Sequence, residues 1–337
     1  MAPRSASRRE FLRRSLLSGI GVALPLPQLF AFPRISDRVL VHRAQYIMGT
    51  VVTIAAYGLS AAHAHHAITK AFDELRRLDQ MMSLYMNSSE LSEVNRSAAK
   101  TSVRVSDDLI VLLQKARAYH TQTNGAFDVT IEPLMRLWGF RNEESRSIPS
   151  DREIHNVLCA VGFQNIEIDS EGKTIALLNQ LSSVDLGGIA VGYSVDRVVS
   201  ILKEEGIESA FVNHSGDAFA LGVPDDSDGW PVVIPHPFYP NEPAARLILK
   251  DEAISTSGNY EKFVEFEHKR FGHILDPFSG RPSSEVMGTS VVAPTALDAD
   301  ALSTGLFCMK RESQKEFAAA HPYKIVTITA TGEVESP

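Results

Sequence analysis

Ile47-Met48-Gly49-Thr50-Val51-Val52-Thr53-Ile54-Ala55-Ala56-Tyr57 is dense in β-branched residues, and after it Ile68, Ala71, Phe72, Leu75, Leu78 and Met82 recur at helical spacing. The first pattern predicts a strand and the second a long helix with one apolar stripe, since side chains repeat every two residues in a strand and every 3.6 in a helix. Working outward, a second helix is predicted to begin after Ser106. A third follows Ser150, where Ser150 and Glu153 have capping-box spacing and Gly162 supplies a stop. Asn165 to Leu178 reads as a hairpin turning at Ser170-Glu171-Gly172-Lys173. Gly187-Gly188 opens the next helix, which runs towards Gly206. From Ala210 short strand signals predominate, up to a last helix near Ala299 and a final strand at Lys324 to Thr329. Strands and helices mix without regular βαβ alternation, which predicts an α+β fold. No repeat or low-complexity tract interrupts residues 40 to 330, so the chain reads as one cooperative unit.

Residues 1 to 34 read as an address rather than as structure. Ser7-Arg8-Arg9-Glu10-Phe11-Leu12 pairs two arginines ahead of the weakly apolar run Leu16 to Phe32, as a twin-arginine export signal does. Gly19, Gly21, Pro25 and Pro27 interrupt the run and make it a poor spanning helix. The expectation is therefore export of an already folded protein to the periplasm, with anchoring at the inner membrane if the leader stays uncleaved. What remains, 35–337, is enough for one large domain of two closely packed lobes. The leader holds six arginines and one glutamate, so the rest carries −13 where the whole chain carries −8. Such acidity argues against binding nucleic acid or an anionic membrane. Cys159 and Cys308 lie far apart without metal-site spacing and are expected to be two buried thiols rather than a disulfide.

Four stretches carry chemistry. Residues 182 to 196, Ser-Ser-Val-Asp-Leu-Gly-Gly-Ile-Ala-Val-Gly-Tyr-Ser-Val-Asp, put Asp185 at the end of an apolar strand and two glycines at a helix entrance. That is either a tight turn or a place where a phosphate or cation approaches bare backbone. In Thr295-Ala-Leu-Asp-Ala-Asp-Ala-Leu-Ser-Thr-Gly305, Asp300 and Thr304 stand at i and i+4 on one helix face. Their oxygens, with a backbone carbonyl and water, would suit a hard cation such as magnesium. The alternative is an acidic first turn answering the helix dipole. His273-Ile274-Leu275-Asp276-Pro277 sets a histidine near a carboxylate, either a base at neutral pH or the frame of a turn. Thr123-Asn124-Gly125-Ala126-Phe127-Asp128-Val129-Thr130, followed by Trp138-Gly139-Phe140, gathers glycine and aromatics that could bracket a planar ring or pack a lid over the core.

Taken together and in order, these stretches resemble the ApbE family of periplasmic FAD:protein FMN transferases. The resemblance runs through Met48-Gly49-Thr50, Ser83-Leu84-Tyr85, Ser89-Glu90, Asn95 and Gly125 to Asp128. It continues through Asp185 to Ala190, Val212-Asn213 with Gly216-Asp217, Thr256 to Glu261, His273 to Pro277, and Ala299-Asp300-Ala301 with Thr304. It implies an α+β fold of two lobes, mixed or antiparallel sheets flanked by helices, with FAD in the cleft. It also implies magnesium-dependent transfer of FMN from FAD to a threonine hydroxyl of a target protein, with release of AMP. By position, Asp300 and Thr304 would be the metal's side-chain ligands, joined by the carbonyl of Gly188. Flavin and ribityl contacts would fall to Met48, Tyr85, Ala126, Phe127, Asp128 and Asp185. Ile274 or Leu275 would line the nucleotide pocket, and His273 would deprotonate or position the acceptor threonine. Acceptors would be flavoprotein subunits of membrane redox complexes (NosR-, Nqr- or Rnf-like), the paired-arginine leader being similar to the NosX-like branch that serves nitrous oxide reductase maturation.

The chain departs from the family pattern twice. Val191 stands where the family commonly has a lysine near the phosphates, and Ser215 stands where glycine is usual in Val212-Asn213-His214-Ser215-Gly216-Asp217. Two further functions keep the same cleft: a periplasmic FAD carrier without transfer, and an FAD pyrophosphatase in which water replaces the acceptor hydroxyl.

Overall fold

In a computed structural model the opening run is half of a hairpin. β1 (Val39–Ile47) pairs antiparallel with β2 (Thr50–Gly58), and Met48-Gly49 is the turn between them. Both turn residues have positive φ, 53° and 78°, as the tight turn that matches strand twist requires. The single predicted strand is thus corrected to two, and methionine at a left-handed position gave no turn signal. The structure describes residues 38–141, 147–225, 227–239, 241–259, 263–266 and 269–336. The twin-arginine segment at 1–34 lies outside them.

After β2 come α1 (Ala61–Met82), α2 (Glu90–Ser97), β3 (Val103–Arg104), α3 (Asp107–Gln122), α4 (Glu132–Leu137), α5 (Asp151–Leu158), β4 (Ile166–Asp169) and β5 (Thr174–Leu177). Next are α6 (Ala190–Glu204), β6 (Ser209–His214), β7 (Asp217–Leu221), β8 (Trp230–Pro235), β9 (Pro243–Leu249), β10 (Glu252–Gly258), β11 (Phe263–Phe266) and β12 (Lys269–Gly272). The chain ends with β13 (Val286–Ala293), α7 (Ala296–Cys308), α8 (Arg311–Ala320), β14 (Lys324–Thr329) and β15 (Val334–Glu335). Helices α3 and α5 begin where the sequence predicted, and α1 buries the predicted stripe, Ile68, Ala71, Phe72, Leu75, Leu78 and Met82. Ser60, Ser106 and Ser150 each accept an amide of the first turn, and Ser150 with Glu153 closes the capping box. Helix α4 lies inside the stretch from Thr123 to Phe140 that the sequence marks as a loop, which corrects that expectation. Helices α2 and α8 were not anticipated either. Each is short and mostly polar, burying only Leu91, Ser92 and Val94 in one and Gln314 and Phe317 in the other, too few to print a periodic stripe.

The main sheet has strand order β1-β2-β6-β7-β10-β13-β14-β15, every neighbour antiparallel. Alternation along its strands divides two cores. Val212, Phe219, Ala253, Val291 and Ile325 join α1, α6 and α7 in the larger one. Phe211, Ala218, Ala220, Ile254, Val292 and Val326 point the other way, onto Trp230, Val232 and Leu249 of the β8–β9 hairpin. The larger core continues into a small β3-β5-β4 sheet and α3 through Leu109, Leu112, Leu113, Ile166 and Ile175. A third cluster, with Leu134, Trp138, Ile154 and Leu275, ties α4 and α5 to the segment after β12. The outcome is the α+β class read from the sequence. Both cysteines are free, but Cys159 is exposed and Cys308 only half-buried, which corrects the expectation of two buried thiols. No helix among the described residues is long and apolar enough to cross a membrane.

Candidate active site

The start of α6 meets the middle of α7 at two glycines. A Cβ on Gly192 would lie 2.3 Å from the carbonyl oxygen of Ala296, so only glycine lets the helices approach this closely. Its amide donates to Asp300 Oδ2 at 2.8 Å. Four residues earlier, a Cβ on Gly188 would stand 3.1 Å from Thr304 Oγ1 and 3.4 Å from Phe127 Cε2. Bare backbone at 188 therefore faces the Thr304 hydroxyl one helical turn beyond Asp300. Helix α7 is pinned in this pose from its N-terminus: Thr295 accepts from the Asp298 amide at 3.0 Å, and Asp196 of α6 accepts from Ala296 and Leu297 at 2.8 and 2.9 Å.

Asp300 is 5% exposed, and no lysine or arginine pairs with it among the described residues. Burial pushes its carboxyl up to about 7, helped by the Asp196 charge and opposed by the Gly192 amide and the Asp217 side chain. A buried carboxylate without a counter-cation, a hydroxyl and exposed backbone form an all-oxygen donor set, which fits a hard cation that keeps part of its water shell. Among the described residues no cluster of three or more His, Cys, Asp or Glu could hold a metal ion, so the protein's share of such a site would be this sparse. Gly188, Asp300 and Thr304 are thus brought together, and Ser257 of β10 reaches Thr304 Oγ1 at 3.2 Å.

Asp185 sits at the other end of the glycine segment. Its amide donates to the Val129 carbonyl at 2.7 Å, its Oδ1 accepts from Gly187 at 2.7 Å, and its Oδ2 pairs with Arg141. Arg141 also donates to Glu132 Oε2 at 2.8 Å and to the Tyr85 hydroxyl at 3.1 Å. Burial pushes the Glu132 carboxyl up and the Asp185 charge adds to it, while Arg141 and Arg136 oppose. Tyr85 itself is 78% exposed, with the Arg141 guanidinium 5.9 Å from its ring centroid. Arg141 and Glu132 were missed in the sequence. The available signal was the position of Arg141 directly after Trp138-Gly139-Phe140.

The loop at 123–130 folds inward. Phe127 is only 2% exposed and lies against Gly188, and a Cβ on Gly305 would come within 3.1 Å of its Cβ. Ala126 is also buried, so at the level of side chains this stretch packs over the core. Asp128 Oδ1 accepts from the Thr130 amide at 2.7 Å, and its Oδ2 lies 3.1 Å from His120 Nδ1, which raises the histidine's pKa. Phe278, exposed, covers Gly125: its Cζ would be 3.1 Å from a Cβ there. That contact brings the turn after His273 onto the 123–130 loop. In the turn, Asp276 accepts from the amides of Phe278 and Ser279 at 3.0 and 3.2 Å, the framing role open to it in the sequence.

His273 is half-buried just beyond β12. Ile274 and Leu275 are buried in different clusters, with Val286 and Phe307 and with Leu134 and Trp138 respectively. Val191 is half-buried in the first turn of α6, and its carbonyl accepts from Ser194 Oγ at 2.7 Å. Met48, half-buried at the hairpin turn, packs on the larger core; no described contact ties it to the Asp300 group. Ser215 takes φ of 59° ahead of Gly216 at 104°, so the β6–β7 turn tolerates serine in a left-handed conformation. That turn delivers Asp217 to the side chain of Asp300.

The chain is 30% identical over 291 residues to the FAD:protein FMN transferase of Escherichia coli K12, covering 85% of this chain and 83% of the relative. It is 31% identical over 297 residues to the enzyme of that name from Vibrio cholerae, covering 87% and 88%. Two solved structures share its fold. One, the ApbE protein of Thermotoga maritima, has a TM-score of 0.83 at 27% identity, covering 88% of this chain and 97% of that one. The other, the flavin transferase ApbE of Vibrio cholerae, has a TM-score of 0.79 at 28% identity, covering 89% and 97%. With the ApbE family pattern matching residues 48–328, the chain belongs to the ApbE family.

Proposed function

We propose that the protein transfers FMN from FAD to a threonine hydroxyl of an acceptor protein, releasing AMP, with magnesium held by Asp300, Thr304 and the Gly188 carbonyl. The observation that carries this reading is the packing of the Asp300–Thr304 face of α7 against the glycine-lined start of α6, in a chain related to FAD:protein FMN transferases. Helix α6 has no side-chain cap; its Ala190 amide bonds the Leu186 carbonyl and its Gly192 amide bonds Asp300, so the Val191 amide is the one its first turn would offer to the pyrophosphate of FAD. Asp185, fixed by Gly187 and Arg141, and Tyr85 would hold the flavin end; Met48, Ala126, Phe127, Asp128, Ile274 and Leu275 are assigned to the rest of the FAD pocket.

The acceptor's Oγ attacks the phosphorus on the FMN side of the pyrophosphate. A ring nitrogen of His273 takes its proton, the bond to the adenylate oxygen breaks, and AMP leaves with that electron pair. Magnesium would neutralise charge on the phosphoryl and leaving oxygens, which together with alignment is the main source of acceleration in phosphoryl transfer. Val191 leaves this first turn without a side-chain cation, so Asp300, Thr304 and the Gly188 carbonyl would have to hold the metal that supplies more of that neutralisation.

Arg8 and Arg9 support export by the twin-arginine route and action in the periplasm, on flavoprotein subunits of membrane redox complexes. Incubation with FAD, magnesium and an acceptor domain tests the reading through flavin retained on the denatured acceptor and AMP released. AMP without label would point to pyrophosphatase activity. FAD bound with neither product would leave only the carrier.

A further inference from the structure

Four hydroxyls line up beneath the proposed metal face. Thr304 Oγ1 lies 3.2 Å from Ser257 Oγ, Ser257 Oγ 2.9 Å from Ser303 Oγ, and Ser255 Oγ 3.2 Å from Ser303 Oγ. Ser303 Oγ also reaches the carbonyl oxygen of Asp300 at 3.0 Å. Ser255, Ser257 and Ser303 are buried, so water does not supply the missing partners.

A hydroxyl has one proton to give and two lone pairs, whereas a carbonyl oxygen only accepts. Ser303 must therefore spend its proton on the Asp300 carbonyl and accept from both Ser255 and Ser257. Ser257, having given its proton to Ser303, accepts from Thr304. We infer that Ser257 is a positioning residue that commits the Thr304 hydroxyl to donate into the core, leaving its oxygen to meet a cation with lone pairs alone. The chain is directional because its last acceptor is backbone. Ser255 is a side branch, feeding Ser303 without touching Thr304.

This inference rests on the magnesium reading, and the closing experiment separates the two. Magnesium binding is titrated calorimetrically on the wild type and on S257A, S255A, S257C and T304A, with FAD binding without metal and thermal midpoint recorded for each. Loss of an outer partner of a metal ligand weakens affinity by about 10- to 100-fold. S257A should lose magnesium affinity by roughly that factor with metal-free FAD binding unchanged, while S255A, which also strips a buried hydrogen bond from Ser303 and should lower the midpoint comparably, keeps wild-type affinity. S257C, whose sulfur is a weaker acceptor, should fall between and serves as the test if S257A does not fold.

Magnesium binding that is lost in T304A but intact in S257A and S257C would overturn the hydroxyl chain alone. Equal loss in S255A and S257A would reduce it to packing. Wild-type protein that binds no magnesium would overturn the metal reading and the chain with it.

Discussion

The amide of Gly192 donates to Asp300 Oδ2 at 2.8 Å, so the carboxylate is aimed by the helix opposite rather than by its own. The same approach that makes this bond possible leaves no room for a side chain at 192. Four residues earlier, Gly188 faces Thr304 across a gap that a methyl group could enter only if the stiff, β-branched Thr304 side chain gave way by a few tenths of an ångström. One glycine therefore serves the fold and the other the site.

Alanine substitutions should separate these roles. At Gly192 the new methyl meets backbone at 2.3 Å, so α6 and α7 must move apart; overpacking of this kind costs about 1–3 kcal/mol, visible as a lower urea midpoint. At Gly188 the backbone φ is not in the left-handed region and the clash is with Thr304 Oγ1 and Cγ2 at 3.1 Å. Gly188→Ala should keep its thermal midpoint and lose transfer by roughly 10- to 100-fold through weaker metal affinity. Wild-type transfer rates in that variant would show that the gap is unused.

Arg141 joins two buried carboxylates, Glu132 and Asp185; removing it leaves Glu132 its bond to Arg136 at 2.9 Å but leaves Asp185 without a cation among the described residues. Breaking a buried pair in this way costs about 3–5 kcal/mol. Arg141→Ala should lose that much in urea unfolding at neutral pH, and Asp185→Asn in the same background should recover part of it by removing the stranded charge. A loss under 1 kcal/mol, typical of an exposed ion pair, would mean that water reaches the cluster.

His214 gives a pH-dependent stability. Its side chain is fully buried, Nδ1 bonds Ser194 Oγ at 2.8 Å, and Nε2 has no partner among the described residues. Burial holds its pKa down to about 4, against 6.5 when unfolded. Because the unfolded chain takes up this proton first, the contribution is complete above 6.5 and is lost as pH falls towards 4. The destabilisation caused by His214→Asn should therefore be largest at pH 7 and shrink by up to ~3 kcal/mol at pH 4. Parallel stability curves for variant and wild type across that window would refute it.

Local patterns exposed α1 by its continuous buried stripe, and α3 and α5 by the serines that cap them. They also exposed the Asp300–Thr304 pair, since both residues lie on one helix and i,i+4 spacing is readable along the chain. Contacts made across the chain were not legible in this way. Arg141 meets Asp185 across 44 residues, Ser257 meets Ser303 across 46, and Gly192 meets Asp300 across 108. The need for glycine at 192 lies in its neighbour on α7, and the Met48-Gly49 turn was hidden because methionine rarely takes positive φ.

His273 offers the sharpest division between binding and chemistry. The proton-acceptor role proposed for it concerns the attacking threonine and not FAD, so His273→Ala should leave the FAD dissociation constant within about twofold. Acceptor labelling should fall by about 10²–10⁴, the usual contribution of a positioned base. Raising the pH should restore part of the rate in the variant, because hydroxide in solution then competes for the proton that the imidazole no longer takes. The measurement is single-turnover labelling of an acceptor domain at pH 7 and pH 9, with FAD binding followed by flavin fluorescence. A variant that labels at the wild-type rate would remove His273 from the reaction, whereas one that loses FAD binding in step with labelling would reassign it to the nucleotide pocket beside Ile274 and Leu275.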